Sequence, residues 1–190
     1  MSGTPETDDA IRRHHLQRGL RDMFEQTVDA RVDRYLEVGH QGIIPNHHFA
    51  AASSECVDLY RDGYFLSAVM VAQAVNEGIF KFVLERNSIP QPGTLSETVS
   101  TLVAKDIVSQ ACADAFNRIW GSFRNDVHHM NPGVVRIPFS AVARSNLADL
   151  ALIEREIFAT GFAAGRLVPV HRKYWDLGAD GMAQVFLRLD

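Results

Sequence analysis

Apolar residues recur every three or four positions along most of the chain, which is the spacing that places them on one face of an α-helix. This spacing predicts five helices, over residues 8–38, 46–61, 64–86, 110–130 and 140–160. The helix over 64–86 is apolar nearly all the way round, as expected for a helix packed on several sides. Thr94-Leu95-Ser96-Glu97 has the spacing of a capping box and predicts a further, short helix.

Turn and cap residues separate these helices. Asn46 is predicted to cap the start of the second helix, and Asp62-Gly63 to form the turn into the third. Pro132 is predicted to end the helix over 110–130, because proline disfavours helical geometry at the residue before it.

Near the C-terminus the apolar pattern becomes that of short strands. Residues 167–170 and 185–189 flank a Gly-Ala-Asp-Gly turn at 178–181, which predicts a β-hairpin. The elements together predict an all-α fold, an antiparallel bundle of about five or six helices with a C-terminal β-hairpin. Three parts are expected: an N-terminal extension with one long helix, the bundle, and the hairpin extension, over residues 1–45, 46–162 and 163–190.

Composition limits the classes of function. A chain of 190 residues is long enough to bury a sizeable core. Its formal net charge of −4 argues against a protein that binds nucleic acid by a general basic excess, so any RNA contact must be local. One stretch with an excess of arginine is 118–144, where a single acid, Asp126, stands among four arginines: Arg118, Arg124, Arg136 and Arg144.

Cysteine usage and the apolar runs bear on location. Cys56 and Cys112 lie in apolar helical contexts outside any Cys-x-x-Cys pair, which predicts buried free thiols and a reducing compartment. The first residues lack the apolar segment of a signal peptide. No apolar run approaches the ~20 residues that a membrane span needs. We therefore expect a cytoplasmic protein without membrane contact.

The helix over 110–130 carries the candidate chemistry. Its apolar stripe is predicted to be core rather than a platform for bases, and comprises Phe116, Ile119, Trp120, Phe123, Val127 and Met130. The opposite arc is polar and ends in Arg124-Asn125-Asp126-Val127-His128-His129. An arginine followed within four to six residues by a histidine also occurs at Arg34/His40 and Arg166/His171. The site at Arg124 is favoured because a polar amide follows the arginine and a helix-ending proline lies just beyond.

Arg124-Asn125-x-x-x-His129 resembles the signature of HEPN domains, which are all-helical bundles common in RNA-cleaving toxins and defence proteins. The upstream segment over 58–77 is similar to the paired helices that precede the signature in several HEPN branches. The resemblance covers roughly residues 46–160. It implies a metal-independent endoribonuclease whose site forms where two copies of the motif meet in a homodimer, and an inhibitory protein partner is expected. Asn131 stands where some HEPN toxins carry a modified tyrosine, so that mode of control is not supported.

The motif residues suit this chemistry on their own terms. A histidine, with an ordinary pKa near ~6.5, can take a proton from an RNA 2′-hydroxyl or give one to the leaving oxygen. Arg124 can stabilise charge on the phosphate, and Asn125 can hold the phosphate or fix an imidazole tautomer. On a regular helix Arg124 and His129 are about 140° apart and Arg124 and His128 about 40° apart. The family spacing favours His129 as the catalytic histidine and helix geometry favours His128, so both are kept, with Glu77 as a supporting acid.

Other interpretations of the motif remain open. The histidine pair could cap a helix end and Arg124 could pair with Glu77, leaving a non-catalytic HEPN-like dimerisation, nucleotide-sensing or adaptor module. The histidine pairs at 14–15, 47–48 and 128–129 lack the spacing and acidic partners of a metal site. No phosphate-binding glycine loop or dinucleotide fingerprint is present in the sequence. No metal or cofactor is therefore expected.

Overall fold

The structure is a computed structural model that describes residues 5–90, 94–163 and 165–188, apart from the side chains of 5–7 and 95. The chain divides into two compact units, Met1–Glu37 and Val38–Asp190. In the first unit the structure describes one long helix, α1 (Pro5–Glu37). This helix agrees with the one predicted over 8–38.

The second unit contains the helical bundle. Its helices are α2 (Ala50–Arg61), α3 (Phe65–Arg86), α4 (Leu95–Ala104), α5 (Gln110–Gly121), α6 (Arg124–His129) and α7 (Phe139–Ile157). The apolar α3 packs against α2, α5, α6 and α7, as its pattern predicted. By length and composition α3 could cross a membrane, but it is mostly buried within the bundle, as the core helix of a soluble protein would be. The predicted all-α bundle is confirmed.

Two clusters of buried side chains form the core of the bundle. In the larger one, Phe80 of α3 meets Phe116 of α5 edge to face, with 5.5 Å between ring centroids. The smaller cluster includes Val127 of α6, which is fully buried and so anchors the motif helix. Cys56 and Cys112 are buried free thiols, as predicted.

Of the two helix caps predicted, at Thr94 and at Asn46, only the one at Thr94 is present. The capping box at Thr94 is confirmed, since the Thr94 amide donates to Glu97 Oε2 at 2.9 Å and the Glu97 amide donates to Thr94 Oγ1 at 3.4 Å. The predicted cap at Asn46 is wrong. Residues before it form strand β1 (Ile43–Pro45), and α2 begins at Ala50, with Phe49 at the cap position and no side-chain cap.

The remaining strands lie near the C-terminus. β2 (Thr160–Ala163) and β3 (Arg166–Pro169) form an antiparallel hairpin, so the predicted fold class, a bundle with a C-terminal hairpin, is confirmed. The pairing predicted between 167–170 and 185–189 is wrong, because β4 (Val185–Leu187) pairs with β1, which precedes the helices of the bundle in the chain. An alternating pattern identifies a strand but does not name its partner.

A buried ion pair fixes the end of β4 to the bundle. Arg188 Nη1 donates to Glu154 Oε2 on α7 at 2.7 Å, and Arg188 Nη2 donates to Glu154 Oε1 at 2.8 Å. Ser53 Oγ on α2 donates to Glu154 Oε1 at 2.6 Å. The Arg188 and Glu154 side chains are only 2% and 1% exposed, so this tertiary contact holds β4 next to β1.

Candidate functional site

The Arg124–His129 segment is a separate short helix rather than the end of a long one. α5 ends at Gly121, Phe123 adopts the left-handed conformation (φ 56°, ψ 25°), and α6 begins at Arg124. The continuous helix predicted over 110–130 is therefore wrong. Gly121 and Ser122 are weak helix formers, and the Ser122 hydroxyl donates to the Ile119 carbonyl at 2.6 Å, which competes with the helical pattern.

A buried amide on α3 holds this break in place. Gln73 is 1% exposed, and its Nε2 donates to the Ser122 carbonyl at 2.7 Å and to the Ser122 hydroxyl at 3.1 Å. Asn146 of α7 donates to the same hydroxyl at 2.9 Å. Two helices of the core thus fix the backbone just before the motif.

The same amide orients His128. The Ser122 carbonyl can only accept, so the Gln73 nitrogen must face it and the Gln73 oxygen must face His128. His128 Nε2 lies 3.0 Å from that oxygen and therefore carries the proton. This leaves Nδ1 as the His128 atom that can take up a proton. Gln73 therefore sets the tautomer of His128, whereas the roles predicted for Asn125, holding the phosphate or fixing an imidazole tautomer, stay predictions.

Arg124 is held on two sides. Its Nη2 donates to Glu77 Oε2 on α3 at 2.9 Å, and its guanidinium lies 3.9 Å from the centroid of the Trp120 ring. Lys81 donates a hydrogen bond to the other Glu77 oxygen at 2.7 Å. The bonds from Lys81 and Arg124 outweigh burial and lower the pKa of Glu77. Arg124 Nη1 is buried and has no hydrogen-bond acceptor among the residues that the structure describes.

The motif side chains share one open pocket of about 740 Å³. It is lined by Trp120, Gly121, Phe123, Arg124, Asn125, Asp126, His128 and His129. Of the predicted site residues, the pocket brings together Arg124, Asn125 and both histidines, whereas Glu77 supports Arg124 from α3. The His129 side chain is exposed and makes no hydrogen bond or ion pair within the described parts of the chain.

Two aromatic residues at the pocket had been predicted to be core. Trp120 is half-buried and carries the Arg124 guanidinium. Phe123 is 45% exposed, because the left-handed turn removes it from the apolar stripe of α5. A periodic apolar pattern gives no warning of such a turn, whereas the weak helix formers Gly121-Ser122 mark its position.

The arginine-rich stretch over 118–144 is less basic than its sequence indicated. Arg118 forms two hydrogen bonds with Asp149, at 3.0 and 2.7 Å, and Arg124 pairs with Glu77. Acids from other helices thus neutralise Arg118 and Arg124. Within residues 5–90, 94–163 and 165–188, no group of three or more His, Cys, Asp or Glu side chains is arranged to hold a metal ion.

Comparison of the chain with protein-family models, with curated proteins and with solved structures finds no match. The resemblance to HEPN domains therefore stays a prediction that rests on the sequence motif.

Proposed function

We propose that this protein is a metal-independent endoribonuclease of the HEPN kind, which cleaves RNA at a site that two copies of the chain form together. The observation that carries the proposal is the shared pocket, where one guanidinium, one amide and two imidazoles converge. These are the groups that phosphate binding and proton transfer to and from RNA require. A cytoplasmic location and an inhibitory protein partner belong to the same proposal.

The proposed reaction needs no co-reactant. A base takes the proton of a 2′-hydroxyl, whose oxygen then bonds to the adjacent phosphorus, and the bond from phosphorus to the 5′-oxygen breaks. An acid protonates that leaving oxygen. The products are a 2′,3′-cyclic phosphate and a 5′-hydroxyl. A homodimer would supply one imidazole for each proton transfer.

The pocket residues have distinct roles in this scheme. The Arg124 side chain lines the pocket and is 34% exposed, so its guanidinium can donate to a phosphate oxygen while Nη2 stays on Glu77. His128 is oriented by Gln73 and offers Nδ1 as a base. His129 is exposed and can serve the partner's half of the site. Asn125 is exposed beside them and can bind the phosphate.

The exposed ring of Phe123 favours unpaired RNA as the substrate. It lines the same pocket as Arg124, and base stacking on an aromatic side chain requires a nucleotide that is free of its own stack. Single-stranded segments or loops supply such nucleotides.

A non-catalytic module is the second candidate, in which the dimer serves assembly or nucleotide sensing. The observation that favours it is that Arg124 and His128 already have partners within their own chain, Glu77 and Gln73. These contacts would explain the motif as part of the fold.

RNA cleavage by purified protein in EDTA separates the two candidates. The wild type should cut single-stranded RNA and leave cyclic phosphate ends, while Arg124→Ala should not. Arg136→Ala is a matched control, since Arg136 is exposed on the neighbouring segment and does not line the pocket. Comparing His128→Ala with His129→Ala identifies the catalytic histidine. Absence of cutting by the wild type over a broad set of RNAs would favour the non-catalytic module.

A further inference from the structure

α1 exposes an unusual amount of apolar surface for a single helix. Eight large apolar side chains on it are between 38% and 79% exposed: Ile11, Leu16, Leu20, Met23, Phe24, Val32, Tyr35 and Leu36. Three of them, Leu16, Leu20 and Met23, follow one another at spacings of four and three and are 59%, 65% and 64% exposed. We call these three the α1 stripe. A contiguous apolar stripe on a helix usually marks a surface that another element covers.

We propose that the α1 stripe pairs with the α1 stripe of a second copy of this chain, with the two helices antiparallel. The stripe belongs to a heptad seam whose positions are Asp9, Arg13, Leu16, Leu20, Met23, Thr27, Ala30 and Arg34. These eight positions fall within an arc of about 100° on a regular helix. The apolar centre of the seam lies near the middle of α1, so in the pair Leu20 and Met23 cover each other's counterparts and Leu16 lies against the partner's Thr27.

The charged residues on the seam favour an antiparallel over a parallel orientation of the two helices. In a parallel pair in register, Arg13 would face the partner's Arg13 and Arg34 would face the partner's Arg34, and like charges at a seam repel. With the two-fold axis between Arg21 and Asp22, an antiparallel pair places Leu20 against the partner's Met23. It also places Arg13 against the partner's Ala30, and Asp9 against the partner's Arg34. The antiparallel pair thus removes both repulsions and brings Asp9 near the partner's Arg34, which also has an interaction within its own chain.

Gly19 is a second, independent observation. Glycine in the interior of a helix is unfavourable relative to alanine. A Cβ atom at Gly19 would meet nothing within 4 Å, so nothing within the described chain requires a glycine at this position. Gly19 borders the α1 stripe beside Met23 and Leu16. Close approach of a partner helix accounts for it, since a missing side chain lets two backbones come together.

The charge balance of α1 favours a second copy over a lipid surface. Residues 8–37 contain six arginines and seven acids. Helices that lie on anionic membranes carry an excess of basic residues on their polar face. No such excess is present in α1.

The first experiment measures self-association of the full chain by analytical ultracentrifugation. Leu20→Gln should raise the dimer dissociation constant by about tenfold or more, because each subunit loses a buried leucine. Leu36→Gln is the matched control, since Leu36 is 79% exposed and lies roughly on the opposite side of the helix from the stripe. A monomeric wild type, or equal effects of the two substitutions, would overturn the proposal. Binding of monomers to phosphatidylserine vesicles through the stripe would overturn it too.

The second experiment tests the direction by cross-linking. Both native cysteines are buried, and burial raises the pKa of the Cys56 thiol to about 12, so added surface cysteines can be oxidised selectively. A mixture of Arg13→Cys and Ala30→Cys chains should form a disulfide-linked heterodimer. Arg13→Cys alone should not link to itself, because its two copies would be about 25 Å apart in the antiparallel pair. Self-linking of Arg13→Cys would show a parallel pair and refute the assignment.

Gly19→Ala gives opposite results for an isolated and a paired α1. In an isolated helix the substitution should raise helicity and leave the molecular mass in solution unchanged. In the proposed pair it should weaken dimerisation about fivefold or more although it favours the helix. None of these measurements depends on RNA cleavage. A monomeric wild type would overturn both this proposal and the composite nuclease site, whereas a Leu20→Gln variant that dimerises as tightly as the wild type would overturn this proposal alone.

Discussion

The substitution Arg124→Ala separates a catalytic role of the motif from a structural one. In the structure it removes an ion pair and a cation–π contact. The ion pair joins side chains that are 34% and 27% exposed, so solvent screening limits it to about 0.2–1 kcal/mol. The contact with Trp120, with the guanidinium 3.9 Å from the ring centroid, adds about 0.5–1 kcal/mol. We therefore expect the free energy of unfolding to fall by about 1–2 kcal/mol, against a typical total of 5–15 kcal/mol.

The effect on cleavage should be much larger than the effect on folding. A group that stabilises charge in the transition state is typically worth about 100-fold or more in rate. Because Arg124→Ala should leave the protein almost fully folded at room temperature, a loss of that size cannot come from unfolded protein.

Arg118→Ala is the control that separates a loss of stability from a loss of RNA cleavage. Arg118 also forms an ion pair between two helices, with two hydrogen bonds to Asp149, but it does not line the pocket. Its removal leaves the nearly buried Asp149 without this partner and should cost at least as much stability as Arg124→Ala. Its rate of RNA cleavage should stay close to that of the wild type.

Urea unfolding and RNA cleavage in EDTA on the same preparations provide the test. The catalytic interpretation requires that the two variants lose similar stability and differ in activity. If Arg118→Ala loses cleavage to the same extent, stability explains the loss. If Arg124→Ala costs more than about 3 kcal/mol, the motif holds the fold together and the non-catalytic candidate is favoured.

Three further predictions concern other parts of the bundle. Glu154→Gln leaves the buried Arg188 guanidinium without its carboxylate partner and should lower the free energy of unfolding by about 3–5 kcal/mol. The double variant Glu154→Leu with Arg188→Met should recover most of this stability. If urea unfolding shows that the losses from the two single substitutions add up in the double variant, the prediction is wrong. Burial lowers the pKa of His47, so its contribution to stability is present above the ordinary histidine pKa of ~6.5 and is lost as the pH falls through the lower folded-state value. His47→Gln should therefore flatten the decline of unfolding free energy between about pH 7 and pH 5, as measured by urea midpoints. Phe123→Leu should weaken binding of single-stranded 2′-O-methyl RNA, which cannot be cut, by about 1–3 kcal/mol in fluorescence anisotropy; unchanged affinity would exclude stacking.

The regular parts of the fold could be predicted from the sequence because they follow from local physics. α3 ends at Arg86 as its apolar pattern indicated, and the capping box at Thr94 forms as its four residues require. The partner of β4 could not be predicted in this way. It depends on β1, more than a hundred residues earlier in the chain, and on the buried Arg188–Glu154 contact, which no local pattern encodes.

The break between α5 and α6 shows a different limit. Phe116, Ile119, Phe123 and Val127 keep a helical spacing through the break, so counting positions predicts one continuous helix. The spacing survives although the backbone at Phe123 turns left-handed, because Val127 still reaches the core from the new helix. Phe123 and Met130, which were expected in the core, are 45% and 56% exposed, and Trp120 lies half-buried at the pocket.

The polar residues of α3 connect this break to the candidate chemistry. Gln73, Asn76 and Glu77 interrupt an otherwise apolar surface at spacings of three and four, so they lie on one face of the helix. Each of them bonds to α5, to α6 or to the turn between them: Gln73 to Ser122 and His128, Asn76 to the Phe116 carbonyl, and Glu77 to Arg124. Polar groups inside a bundle are costly unless they are paired, and the side-chain amide nitrogens of the buried Gln73 and Asn76 both donate to the chain around the break. The central helix thus holds Arg124 and His128 at the pocket, where the proposed function needs them to be positioned.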